Sequence, residues 1–138
     1  MTEPTTPART DVYIVESDAH VRRLLRNFLA DTFALVFFDD GYAALDGVRK
    51  SPPAALITEI MVPRLDGLTL CRLLKSDPIT RKVPILVFSI LVAAERAQQS
   101  GADAFLNKPL EKNRLLASLR SLHAGAATFP QHADRGLS

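Results

Sequence analysis

The sequence predicts a single α/β domain built on a parallel sheet with helices over both faces. Two observations carry that expectation. Short apolar runs recur along the chain without polar alternation, and each is followed by a stretch whose apolar residues recur every three or four positions. Strands covered on both faces read as continuous apolar runs, and parallel neighbours need a crossover helix between them. Five such β/α units mean one doubly wound sandwich. With 138 residues, 47% of them hydrophobic, the chain can bury one real core and has no room for a second domain of usual size.

The elements follow in order. "DVYIV" (11–15) is a β-rich run. In "DAHVRRLLRNFLA" the residues Val21, Leu24, Leu25, Phe28 and Leu29 form one helical face, with Asp18 placed to cap the first turn. "FALVFF" is a second strand and "GYAALDGVRK" a short helix. "AALIT" is the third strand, and "DGLTLCRLLKSD" a helix closed by Pro78. "VPILVFS" is the fourth strand, followed by a helix over 93–100. "AFLN" is the fifth, and Leu115, Leu116, Leu119 and Leu122 mark a last helix. Residues 1–10 are rich in Pro and Thr and residues 125–138 are small and polar, so both read as flexible ends around a folded body at 11–124.

Charge and composition exclude several functions. Seventeen Lys and Arg against fifteen Asp and Glu give a net charge of only +2, and the basic residues are scattered, so no nucleic-acid surface is expected. One cysteine, Cys71, rules out an internal disulfide and reads as a half-buried packing residue. The first residues lack the pattern of a secretory signal, and no apolar run is long enough to span a bilayer, so a cytoplasmic setting is expected. His20, His123 and His132 are too far apart to suggest a metal site. No nucleophile–base pairing or Gly-rich phosphate loop is visible, and the chain is not expected to be an enzyme. Without an effector segment after Ala124, its activity is expected to run through contacts.

One residue breaks the apolar pattern. The third strand ends on Glu59, a carboxylate at the carboxyl end of a buried strand, where open α/β sheets place their ligands and chemistry.

Four ordered features accompany it: the acidic "VESD" after the first strand, "EIMVPRLDG" after the third, "VFS" ending in Ser89 at the fourth, and "GADAFLNKPL" with Lys108-Pro109 at the fifth. In that order the chain, from about Asp11 to Ala124, resembles a response-regulator receiver domain, the phosphoacceptor module of two-component signalling. The resemblance implies a flavodoxin-like five-stranded sheet in the order 2-1-3-4-5, with strands one and three adjacent at the switch point. It implies that Glu59 stands at the phosphoacceptor position, that Glu16, Asp18 and Met61 line the acidic, metal-binding pocket, and that Lys108 is the family's lysine, on a bond resembling the family's cis peptide. It also puts Ser89 at the switch hydroxyl and Phe105 at the aromatic switch. Ser89 reads equally as a strand-ending residue, and Phe105, without a hydroxyl, reads rather as core.

The chain departs from the family twice. Glu59 replaces the aspartate that takes the phosphoryl group, and Ser17 replaces one of two adjacent acids that hold Mg²⁺. Mg²⁺ is therefore expected to bind weakly or not at all, and no other cofactor is expected. A displacement of about 1 Å can cost on the order of 100-fold in phosphoryl transfer, and one added methylene exceeds that. The same methylene carries the charge outward toward Ser89 and Lys108, so that Glu59 imitates the phosphorylated form with one charge. The leading expectation is a pseudo-receiver acting through protein contacts, with a histidine kinase or a downstream signalling protein as partner and a homodimer through the fourth and fifth helices as one arrangement. A Mg²⁺-dependent phosphoacceptor, a structural remnant and a small-ligand binder on the same fold stay open, although the acids of "VESDAHV" would repel a phosphate from the last.

Overall fold

The computed structural model describes residues 10–125 and residue 129. Five strands, β1 (Thr10–Val15), β2 (Phe33–Phe38), β3 (Ala55–Glu59), β4 (Ile85–Ser89) and β5 (Ala104–Asn107), alternate with five helices, α1 (Ala19–Leu29), α2 (Gly41–Lys50), α3 (Gly67–Ser76), α4 (Ala94–Gln99) and α5 (Lys112–His123). All strand pairs are parallel and the order is β2-β1-β3-β4-β5. The flavodoxin-like sheet anticipated from sequence is therefore present, in the anticipated order.

Alternate residues of each strand feed opposite layers. Ile14, Ile57, Leu86 and Phe88 pack with Leu25, Leu29, Leu115 and Leu119 beneath α1 and α5. Val15, Leu56, Val87 and Phe105 pack with Val48, Leu70, Leu74 and Ala97 beneath α2, α3 and α4. Burial of each such aliphatic side chain contributes about 1.5–3 kcal/mol. β3 and β4 are buried throughout, as central strands must be. β2, at the edge, is only partly covered, and Val36 is exposed.

Three helices start on aspartates. Asp18 accepts from the N–H groups of His20 and Val21, Asp40 from that of Ala43, and Asp66 from those of Leu68 and Thr69. Two glycines let loops approach closely. A Cβ on Gly41 would lie 2.0 Å from the carbonyl oxygen of Leu65, and one on Gly67 would lie 2.2 Å from that of Glu59. The first turn of α3 is thereby seated directly against the end of β3.

Several sequence expectations need correction. Thr10 already pairs in β1, opposite Phe33, so the ordered body begins one residue earlier than composition suggested. Cys71 is wholly buried rather than half-buried, and desolvation pushes its thiol up to about 12. Within the segment 125–138, expected to be flexible, one described residue is packed. Phe129 packs against the core on the side of α2, α3 and α4, while the rest of that segment beyond Gly125, His132 included, lies outside the described residues, as do residues 1–9.

Candidate functional site

The carboxyl ends of β1, β3, β4 and β5 converge at the switch point. β1 runs into Glu16, β3 ends on Glu59, β4 on Ser89, and the loop after β5 supplies Lys108. Glu59 is 2% exposed and Glu16 3%, so two carboxylates are held almost entirely out of water. Charges so placed must be paired.

The Lys108 ammonium pairs them. Its Nζ lies 2.7 Å from Oε1 of Glu59 and 3.4 Å from Oε1 of Glu16, and rests 5.2 Å above the centre of the Phe88 ring. The second oxygen of each carboxylate is also engaged. Oε2 of Glu59 accepts from the backbone N–H groups of Ile60 at 2.6 Å and Met61 at 3.0 Å, while Oε2 of Glu16 accepts from that of Asp18 at 3.1 Å. Oε1 of Glu59 has the lysine and accepts no further hydrogen bond. The Glu59 side chain thus folds back over its own turn and is held at both oxygens.

The loops carrying these groups are tied together. Lys108 N–H donates to the carbonyl of Ser89, and the Asn107 amide donates to the carbonyls of Ser89 and Leu91. Lys108-Pro109 is a cis peptide, as the resemblance implied. On the other side, Arg22 donates from Nε to the carbonyl of Glu16 and pairs with Asp39.

The sequence-selected residues separate into three groups. Glu16, Glu59 and Lys108 meet directly. Ser89 is buried, but its hydroxyl accepts from Leu91 N–H at 3.2 Å, a local turn contact, and makes no hydrogen bond with Glu59. Of the two groups toward which the added methylene was expected to carry the charge, only Lys108 is reached. Phe105, 1% exposed, is a core residue. Asp18, exposed, spends its carboxylate on the start of α1, Ser17 is exposed beside it, and Met61 enters through its N–H while its side chain faces solvent.

The donor set does not match what Mg²⁺ requires. Octahedral oxygen coordination draws on convergent carboxylates. Here Ser17 is neutral, Asp18 is turned to its helix, and an ammonium faces both remaining acids. Among the described residues no group of three or more His, Cys, Asp or Glu is arranged to hold a metal ion.

Sequence reasoning missed Asn107, Phe88, Arg22 and Gly67. Asn107 and Gly67 sat inside quoted motifs without a role, because loop-to-loop bonds and close approach depend on the tertiary fold. Phe88, inside "VFS", and Arg22, in the first helix, carry no local signal of the contacts they make.

The electrostatics of Lys108 give a pH test. Burial opposes its charge, but the hydrogen bond to Glu59 and the charges of Glu16 and Glu59 outweigh that and raise its pKa above the ordinary 10.5. A lysine whose pKa is raised by folding stabilises fully below its unfolded value, and the contribution fades as pH climbs through the higher folded value. The urea midpoint of the wild type is expected to fall more steeply above pH 10.5 than that of Lys108→Met. Parallel curves would mean that the ammonium contributes nothing.

An open parallel sheet in this order, with two acids and a lysine meeting at its carboxyl edge, defines an α/β module of the receiver class. The chain belongs to the response regulator receiver domain family, whose model matches residues 12–120. It is similar to the response regulator PleD of Caulobacter vibrioides, with 36% identity over 108 residues, 76% of this chain and 24% of PleD. It is also 37% identical over 115 residues to the response regulator MprA of Mycobacterium avium, covering 80% of this chain and 50% of MprA. The chain thus spans from about a quarter to half the length of these relatives.

Among solved structures, a response regulator of Chloroflexus aurantiacus superposes with a TM-score of 0.80 at 28% identity, covering 85% of this chain and 99% of that one. The signal receiver domain of a histidine kinase from Syntrophus aciditrophicus gives 0.78 at 28% identity, covering 84% and 91%. No helix among the described residues is long and apolar enough to cross a membrane.

Proposed function

We propose that this receiver domain is a pseudo-receiver, passing signals through protein contacts without aspartyl phosphorylation and without a required Mg²⁺. The observation that carries this reading is the Lys108 ammonium lodged between Glu16 and Glu59, 2.7 Å from the latter. A glutamate already paired with the family's lysine replaces the nucleophile, and neutral Ser17 stands where a second acid would help hold a metal.

In-line phosphoryl transfer needs an attacking oxygen free to approach phosphorus in near-attack geometry. Oε2 of Glu59 is committed to two backbone donors and Oε1 to Lys108, so attack would break contacts that balance a buried charge. The same contacts fix a negative charge against Lys108 permanently. Glu59 is therefore read as a partial imitation of the phosphorylated form, engaging the lysine but not the Ser89 hydroxyl. The domain itself is read as non-catalytic, its partner being a histidine kinase or a downstream signalling protein of the kind receiver domains serve.

A comparison of wild-type and Glu59→Gln baits in partner capture from extract tests the reading. The glutamine keeps the shape and removes the charge. It is expected to weaken retention of the partner by the coupling typical of two-state switches, about 1–3 kcal/mol or roughly 5–150-fold. Equal retention of the same partner would show that the charge biases nothing.

A further inference from the structure

An open cleft of about 440 Å³ lies between α3 and α4, and the charged groups lining it are two arginines, Arg72 and Arg96, and one acid, Asp66. Ile60, Leu68 and Leu91 give it an apolar side. Arg72 is pre-oriented on the other: its guanidinium donates to Ser100 Oγ at 3.2 Å and to Thr69 Oγ1 at 3.1 Å, and Ser100, 5% exposed, donates in turn to the carbonyl of Arg96 at 2.9 Å. Arg96, on α4 one turn before Ser100, lines the same cleft.

Neither arginine has an acidic partner among the ion pairs of the described residues. The Arg96 guanidinium and the Gln99 amide make no hydrogen bond within the described structure. Asp66, the one acid lining the cleft, has both oxygens occupied, Oδ1 by the N–H groups of Leu68 and Thr69 and Oδ2 by the Thr69 hydroxyl. A surface with unsatisfied planar donors beside an apolar wall suits a planar oxyanion on an apolar body.

We propose that the α3–α4 cleft is a binding site for a small organic monocarboxylate. Two guanidiniums offset by the single charge of Asp66 leave one net positive charge, which matches a carboxylate better than a doubly charged phosphate. The size falls within the range of small-molecule sites. Occupancy would be sensed at the acidic pocket. Ile60 and Leu91 form the apolar side, and their backbone N–H groups are those held by Oε2 of Glu59 and by Oγ of Ser89. This site does not depend on how Glu59 acts.

Benzoate titrated into the full chain, followed by backbone amide shifts, tests the proposal. Saturable shifts are expected at Ile60, Leu91, Arg96 and Ser100. Arg96 is exposed, so Arg96→Ala should leave the spectrum folded while weakening benzoate about tenfold or more, as loss of a charge-assisted bond implies. Benzamidine, the cationic analogue, should leave these amides unmoved. Shifts that do not saturate, an Arg96→Ala variant that titrates like the wild type, or equal shifts with benzamidine would overturn the site. Tighter binding of phenyl phosphate than of benzoate would overturn its assignment to monocarboxylates.

Discussion

Lys108→Ala is expected to destabilise the fold by about 2–4 kcal/mol, somewhat below the range for breaking a fully dry ion pair because the lysine side chain is 20% exposed. The loss arises on the other partner. Glu59, 2% exposed, would be left with two backbone donors and no counterion, and Glu16 would lose the cation it pairs with as well. In a domain of this size the melting midpoint should drop on the order of 10 °C. The cause is separable from simple loss of packing. Glu59→Gln in the same background removes the stranded charge and should restore most of the stability, so a double-mutant cycle should show a coupling well above the scatter of independent sites. Urea unfolding with an unchanged slope would read it. A Lys108→Ala midpoint within error of the wild type would mean that the acids are solvated separately.

The second large effect is a gain of chemistry. Glu59→Asp shortens the side chain to the family's nucleophile, and Ser17→Asp supplies the missing acid beside Glu16. The double variant is expected to take label from acetyl phosphate in the presence of Mg²⁺, and either single variant much less. Shortening position 59 withdraws the carboxylate from Lys108 and frees an oxygen for attack, whereas the metal competence resides separately in the loop after β1. Mg²⁺ titration of the Ser17→Asp chain should move the amides of Glu16, Asp18 and Met61 at lower metal concentration than in the wild type. A Glu59→Asp single variant labelled as fully as the double would show that Ser17 is not the barrier.

The sheet was legible because burial on both faces writes itself into composition. "FALVFF", "AALIT" and "VPILVFS" carry no charge, and their β-branched and aromatic residues admit little else between Gly- and Pro-marked turns. Helix starts were legible through Asp18 and Asp66, since a short acid before an apolar period has a local job. Glu59 stood out for the converse reason: nothing local explains a carboxylate closing a buried strand. Its actual bonds were not legible. That Oε2 turns back onto Ile60 and Met61, and that Ser89 turns to Leu91 instead of Glu59, depends on torsions and loop closures no spacing encodes. The same limit hid Asn107, whose amide reaches the carbonyls of Leu91 and Ser89, sixteen and eighteen residues away in sequence. The place of Phe129 against the core was likewise invisible, because a lone aromatic in a small, polar segment carries no periodicity.

The cleft between α3 and α4 adds a route by which such a module could be controlled. Its apolar side shares Ile60 and Leu91 with the turns that hold Glu59 and Ser89, so a carboxylate bound there and a charge fixed at position 59 would bias the same two loops.

The most direct measurement is the intact mass of the wild-type chain after incubation with acetyl phosphate and Mg²⁺, with the Ser17→Asp/Glu59→Asp variant alongside as the competent control. A glutamate held by Lys108, Ile60 and Met61 should leave the wild-type mass unchanged while the control gains one phosphoryl group. A phosphoryl adduct on the wild type, mapped to Glu59 or a neighbouring acid, would contradict the account and make the domain a phosphoacceptor.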